Sequence, residues 1–376
     1  MPDQPSITAP NRKYVSPSFT SLADPFYSTI QAAINSITDA SLTNAYTIFI
    51  YPGTYNEAVT LKSYVSIVGA GVDDVIIKGT GSTPAVTGPA ADSGSGQCYI
   101  SNLTIDGVGQ NALLLPDSNN SKTLFVFNVQ IISSVPTTYL TPAIVVNNAQ
   151  SFDCFHLHCI DTGNPNYSLY QEGILVNGTG NLRMWQSDVT ITPPDGDFDH
   201  GFCIHHLSSA YSEAYNSFLS SKRSSIQAEN GFLNLYNCQT VGGVRAKGYA
   251  NLKHVNSFHD GRFITWDHAS MWVTGMKWGE ESGIDVFFEL YNSSRIIVAN
   301  SKAGVTNGVP NVVYLDSNTV IFKAFNSEFN NLGGGSSIVG PSTNYYVYLY
   351  YCVLRGALSN ISASGDSNYK VSSSSE

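Results

Sequence analysis

The chain has 376 residues, 42% of them apolar, but Asp, Glu, Lys and Arg together make up only 12%, about half the usual share. Scarce charge argues against long surface helices, and 22 Tyr with 18 Phe argue against disorder. A net charge of −10 excludes a phosphate-tracking nucleic-acid binder, which needs a basic stripe. Residues 1–23 open with MPDQPSITAPNRKYVSPSF. They lack a basic region followed by an apolar stretch, so they do not read as a secretory signal and are expected to form an N-terminal arm. No run of 18 apolar residues occurs, so no membrane span is expected. Residues 24–39, DPFYSTIQAAINSITD, predict a short amphipathic helix. Asp24 is the expected N-cap with Pro25 at the first helical position, and Phe26, Ile30, Ile34 and Ile37 share one face.

Residues 47–80, TIFIYPGTYNEAVTLKSYVSIVGAGVDDVIIKGT, alternate as strands around a tight Pro52-Gly53 turn, with Gly69 and Gly71 allowing bends where a side chain would clash. A strand ending in Asn and a small residue then recurs: YISNLT, FVFNVQ, EAYNSF, NLYNCQ, KHVNSF, IVANSK and KAFNSE. The anchors are Asn102, Asn128, Asn216, Asn237, Asn256, Asn300 and Asn326, with weaker copies anchored at His156, Gln186, Met276 and Tyr351. Four residues before the anchors stand Cys98, Leu124, Phe152, Leu182, Ser212, Leu233, Leu252, Trp272, Ile296, Phe322 and Val347, nearly all apolar. The next position turns polar and the one after it apolar again, the alternation of a strand with one buried face. The mean spacing, roughly 25 residues, is too short for a propeller blade, and the Leu comb of leucine-rich repeats is absent.

The pattern predicts an all-β chain: a single-stranded, right-handed parallel β-helix of about 12 coils over residues 24–363. The helix at 24–39 would plug the first coil and cover its open edge. Residues 364–376 would be a flexible polar tail. Asn suits the corners because it tolerates a left-handed turn, and stacked copies can bond amide to amide in a ladder.

The Pro-Gly-x-Tyr-x-Glu turn at Pro52, Gly53, Tyr55 and Glu57, the strand leading to Gly69-x-Gly71, and CYISNLTIDG at 98–107 resemble the opening coils of pectin lyase-like β-helix proteins, pectin methylesterases above all. The resemblance implies the β-helix fold. The esterase activity would bring two carboxylates and an Arg in Gln-Asp-Thr, Asp-Phe-Ile-Phe-Gly and Gly-Arg-Pro-Trp contexts, and none of the three occurs here. The Asn-Thr-Asp, Asp-Asp, Gly-His-Gly and Arg-Ile-Lys set of polygalacturonase-like hydrolases is missing too. If the chain is an enzyme, its candidates are Asp195, Asp197, Asp199 and His200 in PPDGDFDHGFCIHH with Asp260 and Arg262 in FHDGRFITWDH. Loops rich in Asp and Gly are more often solvated turns.

The residue before each anchor is often aromatic, and Trp185, Tyr215, Tyr236 and Tyr350 are the expected contacts for a glycan or a partner protein, or else a stack that stiffens the coils. Cys98, Cys154, Cys159, Cys203, Cys238 and Cys352 lie in strand-like segments without metal spacing, so buried thiols, no metal and no cofactor are expected. The expected function is a non-enzymatic structural β-helix protein of a virus particle or surface appendage, placed in a virion or outside the cell after release. Its partners would be other structural proteins of the assembly, with polysaccharide contact as an added role. Trimers are common among viral spikes of this fold, and nothing in the sequence fixes the copy number. The alternative is a carbohydrate-active enzyme: a glycoside hydrolase, a polysaccharide lyase or a divergent pectinesterase.

Overall fold

A computed structural model of the chain describes residues 11–19, 24–89, 96–118, 122–133, 141–148, 150–161, 172–191, 201–276, 286–305, 311–316, 320–331, 336–339, 346–355 and 357–359. Two compact units divide it, residues 1–197 and 198–376. Each is a right-handed parallel β-helix, and every strand pair within it is parallel. In the first unit, strand Lys122–Ser133 lies between Gly96–Asp106 and Gln150–Asp161, with Cys98, Leu124, Phe152 and Leu182 in one column. In the second, Ser212, Leu233, Leu252, Met271, Ile296, Phe322 and Val347 form the matching inward column. Apart from Val347, on the last of these strands, all are buried.

The corners carry the backbone signature that the anchors imply. Asn102, Asn128, His156 and Gln186 in the first unit have φ between 48° and 54°; Asn216, Asn237, Asn256, Asn300, Asn326 and Tyr351 in the second have φ between 46° and 53°. Side-chain amides bond directly at two steps: Asn128 Nδ2 donates to Asn102 Oδ1 at 2.9 Å, and Asn326 Nδ2 to Asn300 Oδ1 at 3.4 Å. Asn216, Asn237 and Asn256 are exposed and share no amide bond with one another. Their ladder runs instead through the backbone, with Asn216 N–H donating to Tyr236 O and Asn237 N–H to Val255 O, each at 2.9 Å. Asn is therefore used here chiefly for its left-handed conformation.

One anchor moves by a residue. The corner in strand register with Ala299–Asn300 is Gly275, at φ 67°, and Met276 is the buried residue that follows it. The shift exchanges the two neighbours upstream: Met271 is the inward residue at 1% exposure, and Trp272 points out at 47%.

Immediately after each corner lies a second column, inside the coil. Ser187, Ser217, Ser257, Ser301 and Ser327 are 1–3% exposed. Each hydroxyl donates to the carbonyl two residues back, at 2.8–2.9 Å. Several also accept the N–H of the equivalent residue one coil earlier: Leu157 to Ser187 at 3.0 Å, Cys238 to Ser257 at 3.0 Å, Met276 to Ser301 at 3.2 Å and Ser301 to Ser327 at 3.2 Å. These bonds satisfy amides that the bend leaves without a strand partner inside the core. The six cysteines are buried, and Cys238 and Cys352 occupy this same column.

The amino-terminal region departs from expectation at three points. Asn11–Val15, expected as part of an arm, is a strand that pairs with Tyr46–Ile50. Phe26–Tyr27, expected inside the helix, is a short strand against Tyr14 and Val15, and Phe26 is 43% exposed with its ring stacked on Tyr14. The helix spans Ile30–Asn35 and its N-cap is Thr29, whose hydroxyl accepts from Ala32 N–H. Asp24 does not cap it; its carboxylate is held by Lys13 and by the Tyr27 hydroxyl.

The helix is bound to the coils by the residues that marked the opening motif. Glu57 accepts from Ile30 N–H at 2.8 Å and Gln31 N–H at 2.9 Å, so the first three helix amides are all satisfied once Thr29 takes the third. At the other end Lys62 Nζ donates to Ile37 O at 2.7 Å. Acid at the N-terminus and base at the C-terminus both complement the helix dipole. Tyr55 is 3% exposed and donates its hydroxyl to Tyr51 O at 2.8 Å, tying the turn to the strand before it. Gly69 is needed for close approach: a Cβ there would sit 2.2 Å from the carbonyl oxygen of Asn102.

Candidate functional site

The strand alternation that fills the core fixes what faces outward on the strands leading to each corner. In the second unit the outward residues three before the corner are Glu213, Asn234, Lys253, Trp272, Ile297, Lys323 and Tyr348. Five before the corner stand Tyr211, Phe232, Asn251, Ser270, Arg295, Ile321 and Tyr346. Where Asn234, Asn251 and Ser270 are short, a shallow groove of about 190 Å³ opens between larger neighbours. Phe232, Lys253, Trp272, Arg295 and Ile297 rim it, and Leu252 and Met271 lie beneath. Phe232 is 50% exposed and Trp272 47%.

Polar contacts order the surroundings. Arg295 donates to Ser270 Oγ at 3.3 Å, and Lys253 Nζ lies 6.0 Å from the Tyr236 ring centroid. Glu213 accepts from the hydroxyls of Tyr211, at 2.6 Å, and Tyr215, at 2.9 Å. Burial first, and then that carboxylate, push the Tyr215 hydroxyl up to about 12, so it stays a hydrogen-bond donor across the physiological range. The described lining residues include two cations and no carboxylate.

The aromatic residues expected as contacts pair off between neighbouring coils. Phe155 and Trp185 stack at 4.5 Å and 4°, Tyr215 and Tyr236 at 4.8 Å and 12°, Phe325 and Tyr350 at 4.8 Å and 3°. In the second unit Val255, Thr274 and Ala299 interrupt this column, beside the groove. Stacking therefore occupies one face of Trp185, Tyr215, Tyr236 and Tyr350, whereas the groove aromatics Phe232 and Trp272 escaped the sequence reading. An anchor at Met276 would turn Trp272 inward; the corner at Gly275 turns it out.

Asp195, Asp197, Asp199 and His200 lie outside the described residues. Asp260 and Arg262 stand on strand Phe258–Thr265, either side of Gly261, whose φ of 136° bends the backbone between them. Arg262 is engaged by Glu289, 3.6 Å away, and lies over the Phe287 ring at 5.6 Å. His156 occupies a corner and bonds Gln186 at 3.1 Å, and His158 lies 3.7 Å from Asp188. Among the described residues no three His, Cys, Asp or Glu side chains gather as metal ligands, and no helix is long and apolar enough to cross a membrane.

No protein-family model matches the chain, and no curated protein matches it. Among solved structures, the Streptococcus pneumoniae surface adhesin PfbA is similar, at 12% identity and a TM-score of 0.39, over 91% of this chain and 94% of that one. Pectin methylesterase from Aspergillus niger is similar at 12% identity and a TM-score of 0.28, over 100% and 92% of the two chains. A family 28 exopolygalacturonase from Yersinia enterocolitica is similar at 12% identity and a TM-score of 0.36, over 90% and 75%. The stacked parallel coils rest on the strand pairing described above, independently of these likenesses.

Proposed function

We propose that the chain is a non-enzymatic structural β-helix whose second unit holds a saccharide in the Phe232–Trp272 groove. The observation that carries this reading is the exposure of Phe232 and Trp272, about half of each, with short polar side chains between them. An aromatic face packs against the apolar face of a sugar ring, and Asn251 and Ser270 supply hydroxyl partners, while Asn234, 8% exposed, donates to the Tyr211 hydroxyl beneath them. Hydrolysis would need two carboxylates flanking one bond, and the described lining carries Lys253 and Arg295 instead. The setting we propose is a virus particle or surface appendage, where stiff stacked coils serve as a spacer beside other structural proteins. Co-purification with such a particle, read by mass spectrometry, tests that placement.

A glycan array followed by calorimetry tests the groove. The wild-type chain should retain at least one saccharide without releasing reducing ends, and Trp272→Ala should weaken binding about tenfold or more at an unchanged melting temperature. Absence of any glycan binding, or turnover of the bound saccharide, would overturn the reading.

A further inference from the structure

Two histidines are sealed inside the second unit. His254, on strand Asn251–Val255, and His259, on strand Phe258–Thr265, are both 0% exposed. Thr240 joins them: its Oγ1 lies 3.2 Å from His254 Nε2 and 2.7 Å from His259 Nδ1. A hydroxyl has one proton to give, so at least one ring must offer an N–H to it, which two neutral imidazoles can do. Each ring keeps one further nitrogen, His254 Nδ1 and His259 Nε2, and both are buried without a hydrogen-bond partner among the described residues.

Among the described residues the surroundings are mainly apolar, with only the Gly261 and Arg262 backbone beside His259 favouring a charge against the larger cost of burial. Leu235 and Val273 flank His254 on the neighbouring strands, and the Phe263 ring centroid lies 5.3 Å from His254 and 4.0 Å from His259. Phe288 stacks behind Phe263 at 5.3 Å. The nearby inward thiol, Cys238, is neutral, its pKa pushed up to about 11 by burial. Charged side chains on the strands packed around the pair, Lys253, Arg245, Asp260, Arg262 and Glu289, occupy the outward parity of their strands. Proton uptake would thus place a cation in a mainly apolar lumen, where His254 Nδ1 has no acceptor among the described residues.

We propose that the His254–Thr240–His259 cluster is an acid-sensitive latch: the coils that hold it stay closed near neutral pH and open as the pH falls, because the rings charge only in the open state. Burial holds His254 down to about 3, and burial followed by the neighbouring His254 charge holds His259 well below the ordinary range. The sign follows from linkage. The folded values lie below the open-state value of roughly 6.5, so the stabilisation is complete above that pH and is lost as the pH drops towards the folded values. Each ring shifts the opening equilibrium about tenfold per pH unit in that window, and the pair about a hundredfold.

The trigger is local. The buried histidines among the described residues, His206, His254 and His259, all belong to the second unit, while His156 and His158 of the first are exposed.

Hydrogen exchange with mass spectrometry on the full chain at pH 7.5 and 5, corrected for intrinsic rates, tests the latch. Protection of segments 251–255 and 258–265 should fall on the order of a thousandfold, while 122–133 and 150–161 in the first unit change less than about tenfold. His254→Phe keeps a flat ring without the titration, and should reduce the fall to about thirtyfold. Equal loss in both units, no loss at pH 5, or an unchanged fall in His254→Phe would overturn the proposal. Should that variant fail to fold, histidine-selective NMR of the wild-type chain decides. Both rings should stay neutral until their folded signals vanish together, and a ring titrating near 6.5 inside the folded chain would overturn it.

Discussion

Glu57 connects the opening turn to the helix Ile30–Asn35, and its removal is the sharpest test of how the amino-terminal end is held. Its carboxylate takes two of the first three helix amides, from Ile30 and Gln31, while Thr29 takes the third. Hydrogen bonds to a charged acceptor contribute about 1.5–3 kcal/mol each when buried. Glu57 is half-buried and water reaches part of the site, so Glu57→Ala should cost about 2 kcal/mol for the pair after discounting for solvent. That corresponds to a roughly thirtyfold rise in the opening equilibrium of the helix. Glu57→Gln keeps one oxygen but loses the charge and turns an amide NH2 towards a donor, so it should cost about 1 kcal/mol. Amide exchange at Ile30, Gln31 and Ala32 reads the effect directly, and Ala32, satisfied by Thr29, should respond through helix opening alone. If Glu57→Gln behaves as wild type, charge is not what holds the helix; if Glu57→Ala changes exchange less than about threefold, the cap is not structural.

Two further predictions separate the roles of neighbouring residues. At the corner, Asn237→Gly should be nearly neutral and Asn237→Leu should cost about 1 kcal/mol, since φ is 51° and the side chain has no amide-to-amide bond to lose. Ser257→Ala, by contrast, leaves the buried Cys238 N–H unpaired and should cost about 2 kcal/mol in denaturant unfolding; an Asn237→Leu larger than Ser257→Ala would reverse the assignment of the two columns. On the first unit, Arg183 donates to Asp153 through Nε at 2.8 Å, and the Asp153 side chain is 4% exposed. Burial already holds that carboxyl above its usual range against the lowering by Arg183, so Arg183→Ala should raise it further and cost about 2 kcal/mol near neutral pH, discounted for the exposed Arg. A raised folded value favours the fold below the unfolded pKa and loses that benefit as pH rises, so the deficit should shrink between pH 7 and 4; a deficit constant with pH would refute the assignment.

The fold was readable because a parallel coil repeats one local rule. Inward and outward residues alternate, the corner demands positive φ, and Asn meets that demand in seven coils. The same rule explains the one misplaced corner. Gly275 meets the conformational demand as well as Asn does, so no Asn marks this corner and Met276, one residue on, carries the expected spacing. Shifting the strand by one residue flips every side chain, which put Trp272 inside and hid the aromatic at the rim of the groove. The amino-terminal error has a different origin. Asp24-Pro25 is a sound helix start by local criteria, but Lys13 and Tyr27 claim the carboxylate, and Phe26–Tyr27 pairs with Tyr14–Val15. Local propensity yields there to a tertiary partner eleven residues upstream.

The candidate site was harder to read than the fold because it belongs to no single repeat. A run of Asn234, Asn251 and Ser270 means little in sequence, where 17 and 19 residues separate them. Stacking places the coils side by side, about 4.8 Å apart, so Asn251 and Ser270, in register, and Asn234, two residues along the neighbouring strand, become the trough of one groove and Phe232 and Trp272 its walls. The inner Ser column shows the intermediate case. Ser217, Ser257, Ser301 and Ser327 each follow an anchoring Asn and could be read as a motif, and each bonds a carbonyl two residues back, yet the amides that Ser257, Ser301 and Ser327 accept lie one coil away. In a solenoid, then, what one coil requires of its own backbone is written locally, and what neighbouring coils build together appears only once their spacing is known. Chemistry that depends on the second kind of information, the groove and the buried His254–Thr240–His259 cluster alike, has to be read from register rather than from motif.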